Sequence, residues 1–134
     1  MPTTAAVIVT TPQDVALADA RKGIAMFNKV NVPVLGIVEN MSYHVCSACG
    51  LHEPLFGTGG GQKMAEQYHV ALLGQLPLHI DIRQHMDDGC PTVFGAPDGE
   101  LSQTYLKLAR RVGAELYFSA KPIATPLYTV ALDE

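Results

Sequence analysis

The sequence predicts an α/β domain, a parallel sheet with flanking helices, and three observations predict it. Two apolar runs of strand length, Ala5 to Thr10 ("AAVIVT") and Val32 to Val38 ("VPVLGIV"), are continuous and not alternating, the pattern of strands covered on both faces. An amphipathic helical stretch with short links separates them, so strand, helix and strand form a right-handed βαβ unit. A third apolar run, "VALLGQLP" from Val70, follows another helical stretch.

Taken in order, the first strand gives way to Thr11 as a helix N-cap, with Pro12 at the first helical position and Asp14 in the first turn. Leu17, Ala20, Ile24 and Phe27 then recur at helical spacing and make one buried face, so the helix is expected to run to about Val30. A second helix is expected near Gln62 to Tyr68, before the third strand. Leu101, Tyr105, Leu108, Val112 and Leu116 keep helical spacing through Phe118, which predicts a long closing helix. From Ser119 to Glu134 two prolines and no clear period read as an irregular tail, so residues 1–118 are expected to form part of one α/β domain and 119–134 its tail. Three strands are few for a parallel sheet buried on both faces, and the chain is expected to be an incomplete unit.

Composition excludes several classes of partner. The chain has 134 residues, enough for one average domain, and its 9 Lys and Arg against 13 Asp and Glu leave a formal charge of −4. Its only basic doublets are Arg21-Lys22 and Arg110-Arg111, so neither nucleic acid nor an anionic membrane surface is indicated as a partner. No apolar run approaches the ~20 residues of a membrane span, and no signal peptide opens the chain, which points to a cytoplasmic address. Three cysteines are an odd count for a disulfide framework, and in a reducing compartment they are free for metal binding or redox chemistry.

The candidate chemistry concentrates in Asn40 to Pro54, "NMSYHVCSACGLHEP", which leaves the second strand where ligands of open α/β sheets sit. Cys46 and Cys49 form a C-x-x-C pair whose two thiolates can converge on one metal, yet a zinc ion or four-iron cluster needs about four protein ligands. Flanking His44 and His52 offer a Cys2His2 zinc site, although so short a spacing strains a tetrahedron. A redox dithiol is a further reading, weakened because Gly50 and Pro54 suggest an irregular loop and not a helix N-terminus. A bland pair of free thiols completes the set. Cys90 stands alone and reads as a small buried hydrophobe. "FGTGGGQK" invites comparison with a phosphate cradle, but it follows a loop and lacks the lysine-hydroxyl pair, so it reads as a flexible hinge. Thr10, Thr11 and Gln13 are explained by helix capping. Asn40 by itself reads as a turn or cap asparagine. His44, His52, His69 and His85 are expected to have no catalytic role.

Read together and in order, "AVIVTTPQDVALADARKGIAMF", "VPVLGIVENMS", Cys46-x-x-Cys49, "FGTGGGQKMAE" and "LLGQLPLHIDIR" resemble the C-terminal half of the bacterial Mrp/ApbC family of iron-sulfur cluster carrier ATPases, over roughly Ala5 to Phe118. That family belongs to the P-loop ATPases and is kin to the nitrogenase iron protein and MinD. The resemblance implies a P-loop NTPase-type parallel sheet of which this is the C-terminal half only. It implies a homodimer in which Cys46 and Cys49 of each copy hold a shared [4Fe-4S] cluster, passed on to apo iron-sulfur proteins with coupling to ATP. It places Asn40, Pro77 and Leu78 at the adenine, with His79 a weaker candidate. The phosphate loop and magnesium ligands lie in the family's N-terminal half. No G-x-x-x-x-G-K-[ST] occurs here, so this chain alone is not expected to hydrolyse ATP and no catalytic residue is assigned. The alternative function is a small zinc-binding interaction module using Cys46 and Cys49 with the flanking histidines, and a third is an inert fragment.

Overall fold

Side-chain alternation along short apolar strands decides how the layers stack. The computed structural model describes residues 4–119. The elements are β1 (Ala6–Thr10), α1 (Asp14–Lys29), β2 (Val34–Val45), β3 (His52–Glu53), α2 (Gly60–Tyr68), β4 (Ala71–Leu78), α3 (Ile80–Asp87), α4 (Thr92–Gly95) and α5 (Glu100–Ser119). Strand β2 is central, with β1 and β4 parallel to it on either side and β3 pairing antiparallel to its far end. Ile8 of β1 and Ile37 of β2 meet Leu17, Ala20 and Ile24 of α1 and Met64 and Ala65 of α2 in one core. Val7, Val38, Leu73 and Leu76 pack on the opposite face, against Tyr105, Leu108 and Val112 of α5. The sheet is therefore covered on both sides, as the continuous apolar runs require.

Gly36 sets the closeness of the central pair. It lies opposite Ala71 in the parallel register, and a Cβ there would collide with the Ala71 carbonyl oxygen and with Leu73. A side chain at this position would push β4 away from β2.

Several expectations need correction. Helix α1 begins at Asp14, and its N-cap is Gln13 in an extended conformation (φ −67°, ψ 137°) with no side-chain cap bond. The Thr11 hydroxyl donates to Gln13 Oε1 at 3.4 Å, so it does not cap the helix. Strand β2 does not end near Val38 or at Asn40 but continues to Val45. Its polar continuation stays in the sheet because both flanks hold it, with Tyr43 and His44 opposite Pro77 and Leu78 of β4 and with His44 and Val45 opposite Glu53 and His52 of β3. The sheet is thus mixed and not purely parallel. Helices α3 and α4 were not anticipated. Cys90, expected to be buried, is exposed in the turn between them, where its N–H donates to the His85 carbonyl at 2.9 Å. Helix α5 includes Ser119, so the tail expected for 119–134 otherwise lies outside the described residues.

Among the described residues no helix is long and apolar enough to cross a membrane. Strand β1 pairs only with β2 among the described residues, and Val9 on it is 62% exposed. A strand apolar along its length with one free edge is a surface that pairs readily with another chain. Hydrogen exchange on the dilute chain is expected to show amides of Ala6–Thr10 exchanging about 100-fold faster than those of Val34–Val38. Equal protection in a monomer would mean that the edge is already closed.

Candidate metal centre on the β2–β3 hairpin

The site begins with a carboxylate buried inside an apolar strand. Glu39 is 0% exposed, and an ionised carboxylate survives there only when its oxygens are satisfied by donors. Oε1 accepts from the Ser42 hydroxyl at 2.6 Å and from Gln75 Nε2 at 2.8 Å, while Oε2 accepts from the Gly61 N–H. Gln75 Nε2 also donates to the Ser42 hydroxyl oxygen at 3.0 Å. Burial pushes the Glu39 carboxyl up, but the hydrogen bonds from Ser42, Gln75 and Gly61 outweigh it and hold it below the ordinary carboxylate value.

This network explains the glycine run. Gly59 caps α2 in the left-handed region (φ 71°), and a Cβ at Gly60 would sit 2.7 Å from Leu17 Cδ1 and 3.0 Å from the Pro12 carbonyl. A Cβ at Gly61 would come 2.9 Å from Glu39 Oε2. The α2 N-terminus does hold an anion, and the anion is the chain's own carboxylate. Gly60 and Gly61 serve close packing, whereas Gly57 (φ 96°) and Gly59 (φ 71°) supply left-handed backbone in open space.

Beyond Glu39 the strand kinks. Met41 has φ 53°, uncommon for a residue with a side chain, and its N–H donates to Asn40 Oδ1 at 3.0 Å. Asn40 is half-buried and acts locally here as a cap on the kink. Pro77 and Leu78 stand opposite Tyr43 and His44 in the register, not opposite Asn40. Pro77 joins Tyr43, His52, His79 and Glu100 around a cavity of about 280 Å³ beneath α4 and the start of α5, whereas Asn40 and Leu78 are not among its lining. Burial, and then the Glu100 carboxylate, raise the Tyr43 phenol above its ordinary value. His79 is the N-cap of α3, its Nδ1 accepting the Asp81 N–H at 3.2 Å.

The hairpin then carries the cysteines. The Cys46 N–H donates to the Leu51 carbonyl at 2.9 Å and the Gly50 N–H to the Cys46 carbonyl at 2.8 Å, with Gly50 at φ 72° completing the turn. At its root the rings of Tyr43 and His52 stack with centroids 4.7 Å apart and 17° between planes. The backbone N–H groups of Ala48 and Cys49 are the leading influences on the Cys46 thiol. Together with the Cys49 thiol they hold the Cys46 thiol below its ordinary value, against smaller upward pushes from desolvation and the Glu53 carboxylate. Backbone N–H groups aimed at sulfur stabilise a thiolate, the form that ligates metal.

The turn therefore brings Cys46 and Cys49 together, and it does so at a strand hairpin, which removes the helix N-terminus a redox dithiol uses. It does not assemble a Cys2His2 set. His52 is engaged in the stack, and His44 Nδ1, buried without a hydrogen-bond partner, lies 4.0 Å from Glu53 Oε2. Among the described residues no three His, Cys, Asp or Glu side chains are grouped to hold a metal ion. Two thiols in one turn can supply at most part of the ligand set that a zinc ion or four-iron cluster needs.

Residues 1–113 match the ParA family described as NUBPL iron-transfer P-loop NTPase. The iron-sulfur cluster carrier protein of Salmonella typhimurium is 62% identical over 123 residues, covering 92% of this chain and 33% of that protein. The iron-sulfur cluster transfer protein NUBPL of Mus musculus is 47% identical over 112 residues, covering 84% and 35%. The chain thus spans about a third of the length of these curated relatives. Among solved structures, a nucleotide-binding protein from Archaeoglobus fulgidus in complex with ADP superposes with TM-score 0.57 at 38% identity, covering 64% of this chain and 35% of that one. The cell division ATPase MinD of Pyrococcus furiosus superposes with TM-score 0.63 at 24% identity, covering 83% and 43%, which shows the same fold.

Glu39→Gln is expected to cost about 1–3 kcal/mol at neutral pH, because a carboxamide must turn an N–H₂ toward one of three donors. The folded carboxyl value is lowered, so its contribution is full above the ordinary value of 4.5 and is lost as pH falls through the lower folded value. Denaturant melts of both proteins should therefore converge in acid. A gap that stays constant from pH 7 to pH 3 would contradict the assignment.

Proposed function

The chain belongs to the NUBPL iron-transfer P-loop NTPase family, and on that premise we propose that it is the cluster-holding part of an iron-sulfur cluster carrier. The cargo is a [4Fe-4S] cluster bound by Cys46 and Cys49 of two copies, four thiolates around one centre, and it is handed to apo iron-sulfur proteins. The observation that carries this reading is the turn itself, in which two thiols share one hairpin tip and backbone N–H groups favour the thiolate at Cys46. A reducing compartment such as the cytoplasm keeps those thiols available.

The nucleotide side of the reading rests on the family and on the carboxyl ends of β2 and β4, where ligands of open α/β sheets bind. Asn40, Pro77 and Leu78 are proposed to contact adenine of ATP. Asn40 spends its Oδ1 on the Met41 N–H, which leaves its amino group to meet a base. Phosphate and magnesium contacts are not assigned to this chain, because its sequence contains no phosphate-loop lysine motif. Coupling of nucleotide turnover to cluster release is a property proposed for the longer protein.

Anaerobic reconstitution with ferrous iron and sulfide is expected to give about four irons per two chains, with Cys46→Ser or Cys49→Ser each reducing bound iron to background. His44→Ala and His52→Ala should leave iron content unchanged. A monomer holding one tight zinc ion, lost on either histidine substitution, would replace the carrier reading with the zinc module.

A further inference from the structure

The turn that carries the cysteines is flanked by apolar side chains that the hairpin does not cover. Leu51 is 56% exposed and Leu55 57% exposed. Leu51 stands across the turn from Cys46, since its carbonyl accepts the Cys46 N–H, and the Leu55 N–H donates to the Glu53 carbonyl at 3.0 Å in a tight bend directly after β3. Hairpin tips facing water favour Gly, Asn, Asp and Ser, and leucines placed there forfeit burial unless something covers them.

The charge pattern and the cysteines together point to a second copy as the cover. Between Glu39 and Lys63 the only formally charged residue is Glu53, on a chain whose net charge is −4. Residues at a two-fold axis face their own equivalents, so a turn that carries few charges can approach its copy there without the repulsion a cluster of acids would bring. Apart from Glu53 the cysteine turn is uncharged, and its two thiols leave a four-thiolate site half made until a second copy arrives.

We propose that Leu51 and Leu55 form an apolar rim that packs on a second copy of this chain when two cysteine turns come together, and that this rim keeps water and chelators away from the shared cluster. The proposal rests on the carrier reading above and adds to it the surface that determines how long the cargo is held. Water exclusion around thiolate ligands is one way a protein controls cluster exposure, and two leucines from each copy supply it without adding a ligand.

The test uses Leu51→Asp and Leu55→Asp, with Leu51→Ile and Leu55→Ile as size-matched controls, each reconstituted anaerobically with ferrous iron and sulfide. Sedimentation gives the dissociation constant of the loaded dimer, and a ferrous chelator gives the rate of cluster loss. Each aspartate is expected to weaken the loaded dimer about ten-fold and speed cluster loss by a similar factor, because a carboxylate from each copy is brought into a desolvated contact. The isoleucine variants should match the wild type, and the melting temperature of the metal-free protein should be unchanged throughout. Aspartate variants that load, dimerise and retain cluster like the wild type would overturn the rim and leave the carrier reading standing. A wild-type chain that takes up no iron would overturn both.

Discussion

The buried Glu39 carboxylate is the interaction on which the rest of the site depends. It sits in the central strand, at 0% exposure, and ties three segments distant in sequence to one pair of oxygens. Through Gly61 it holds the start of α2 on the sheet, through Gln75 it holds β4, and through Ser42 it holds the strand just past the kink at Met41. A buried charge loses more by going unpaired than it gains by being paired, so removing any one of the three donors is expected to destabilise the region. That requirement explains why Gly60 and Gly61 have no room for a Cβ and why β2 can turn sharply at Met41 without leaving the sheet.

From this anchor the hairpin projects as an extension of the sheet and not as a free loop. Tyr43 and His44 are still in register with Pro77 and Leu78, the Tyr43–His52 stack closes the root, and only then does the chain turn through Cys46 to Leu51. The cysteines are held on a strand that continues, past the kink at Met41, from the core around Ile37. Tyr43 also walls the cavity that Pro77 lines, so one of the three proposed adenine contacts neighbours the cysteine hairpin in the structure.

How much of this was legible in the sequence depended on whether the forces at each place leave a local pattern. The runs from Ala5 and Val32, the periodicity of Leu17, Ala20 and Ile24, and that of Tyr105, Leu108 and Val112 all report burial, and all four segments take the element type read, though not always its ends. The extension of β2 past Val38 carries no apolar signal, since hydrogen bonds to β3 and β4 keep it in the sheet. The start of α1 was misplaced because Thr11 and Pro12 look like a cap and first turn, whereas Gln13 takes the cap position by backbone conformation alone. Helix α3 did leave a signal, His79 followed by Asp81, which reads afterwards as a cap and first-turn acid. The short α4 left none. In the site, the placing of Cys46 and Cys49 in one turn was visible from spacing, but Glu39 was passed over because a single acid in an apolar run does not reveal that Gly61, twenty-two residues away, will donate to it. The position of Asn40 relative to Pro77 was equally hidden, because the register irregularity between Glu39 and Tyr43 is a tertiary feature.

A family of iron-transfer P-loop NTPases and a hairpin ending in two thiols lead to the proposed account, in which two copies of this chain close around one cluster. Native mass spectrometry of the anaerobically reconstituted protein tests it most directly, because it weighs chains and inorganic atoms in one particle. The account predicts a single dominant species of two chains plus four irons and four sulfides, and the loss of that species, with return to the metal-free mass, for Cys49→Ser. A dominant species of one chain with one metal ion, or a cluster-loaded single chain, would contradict it.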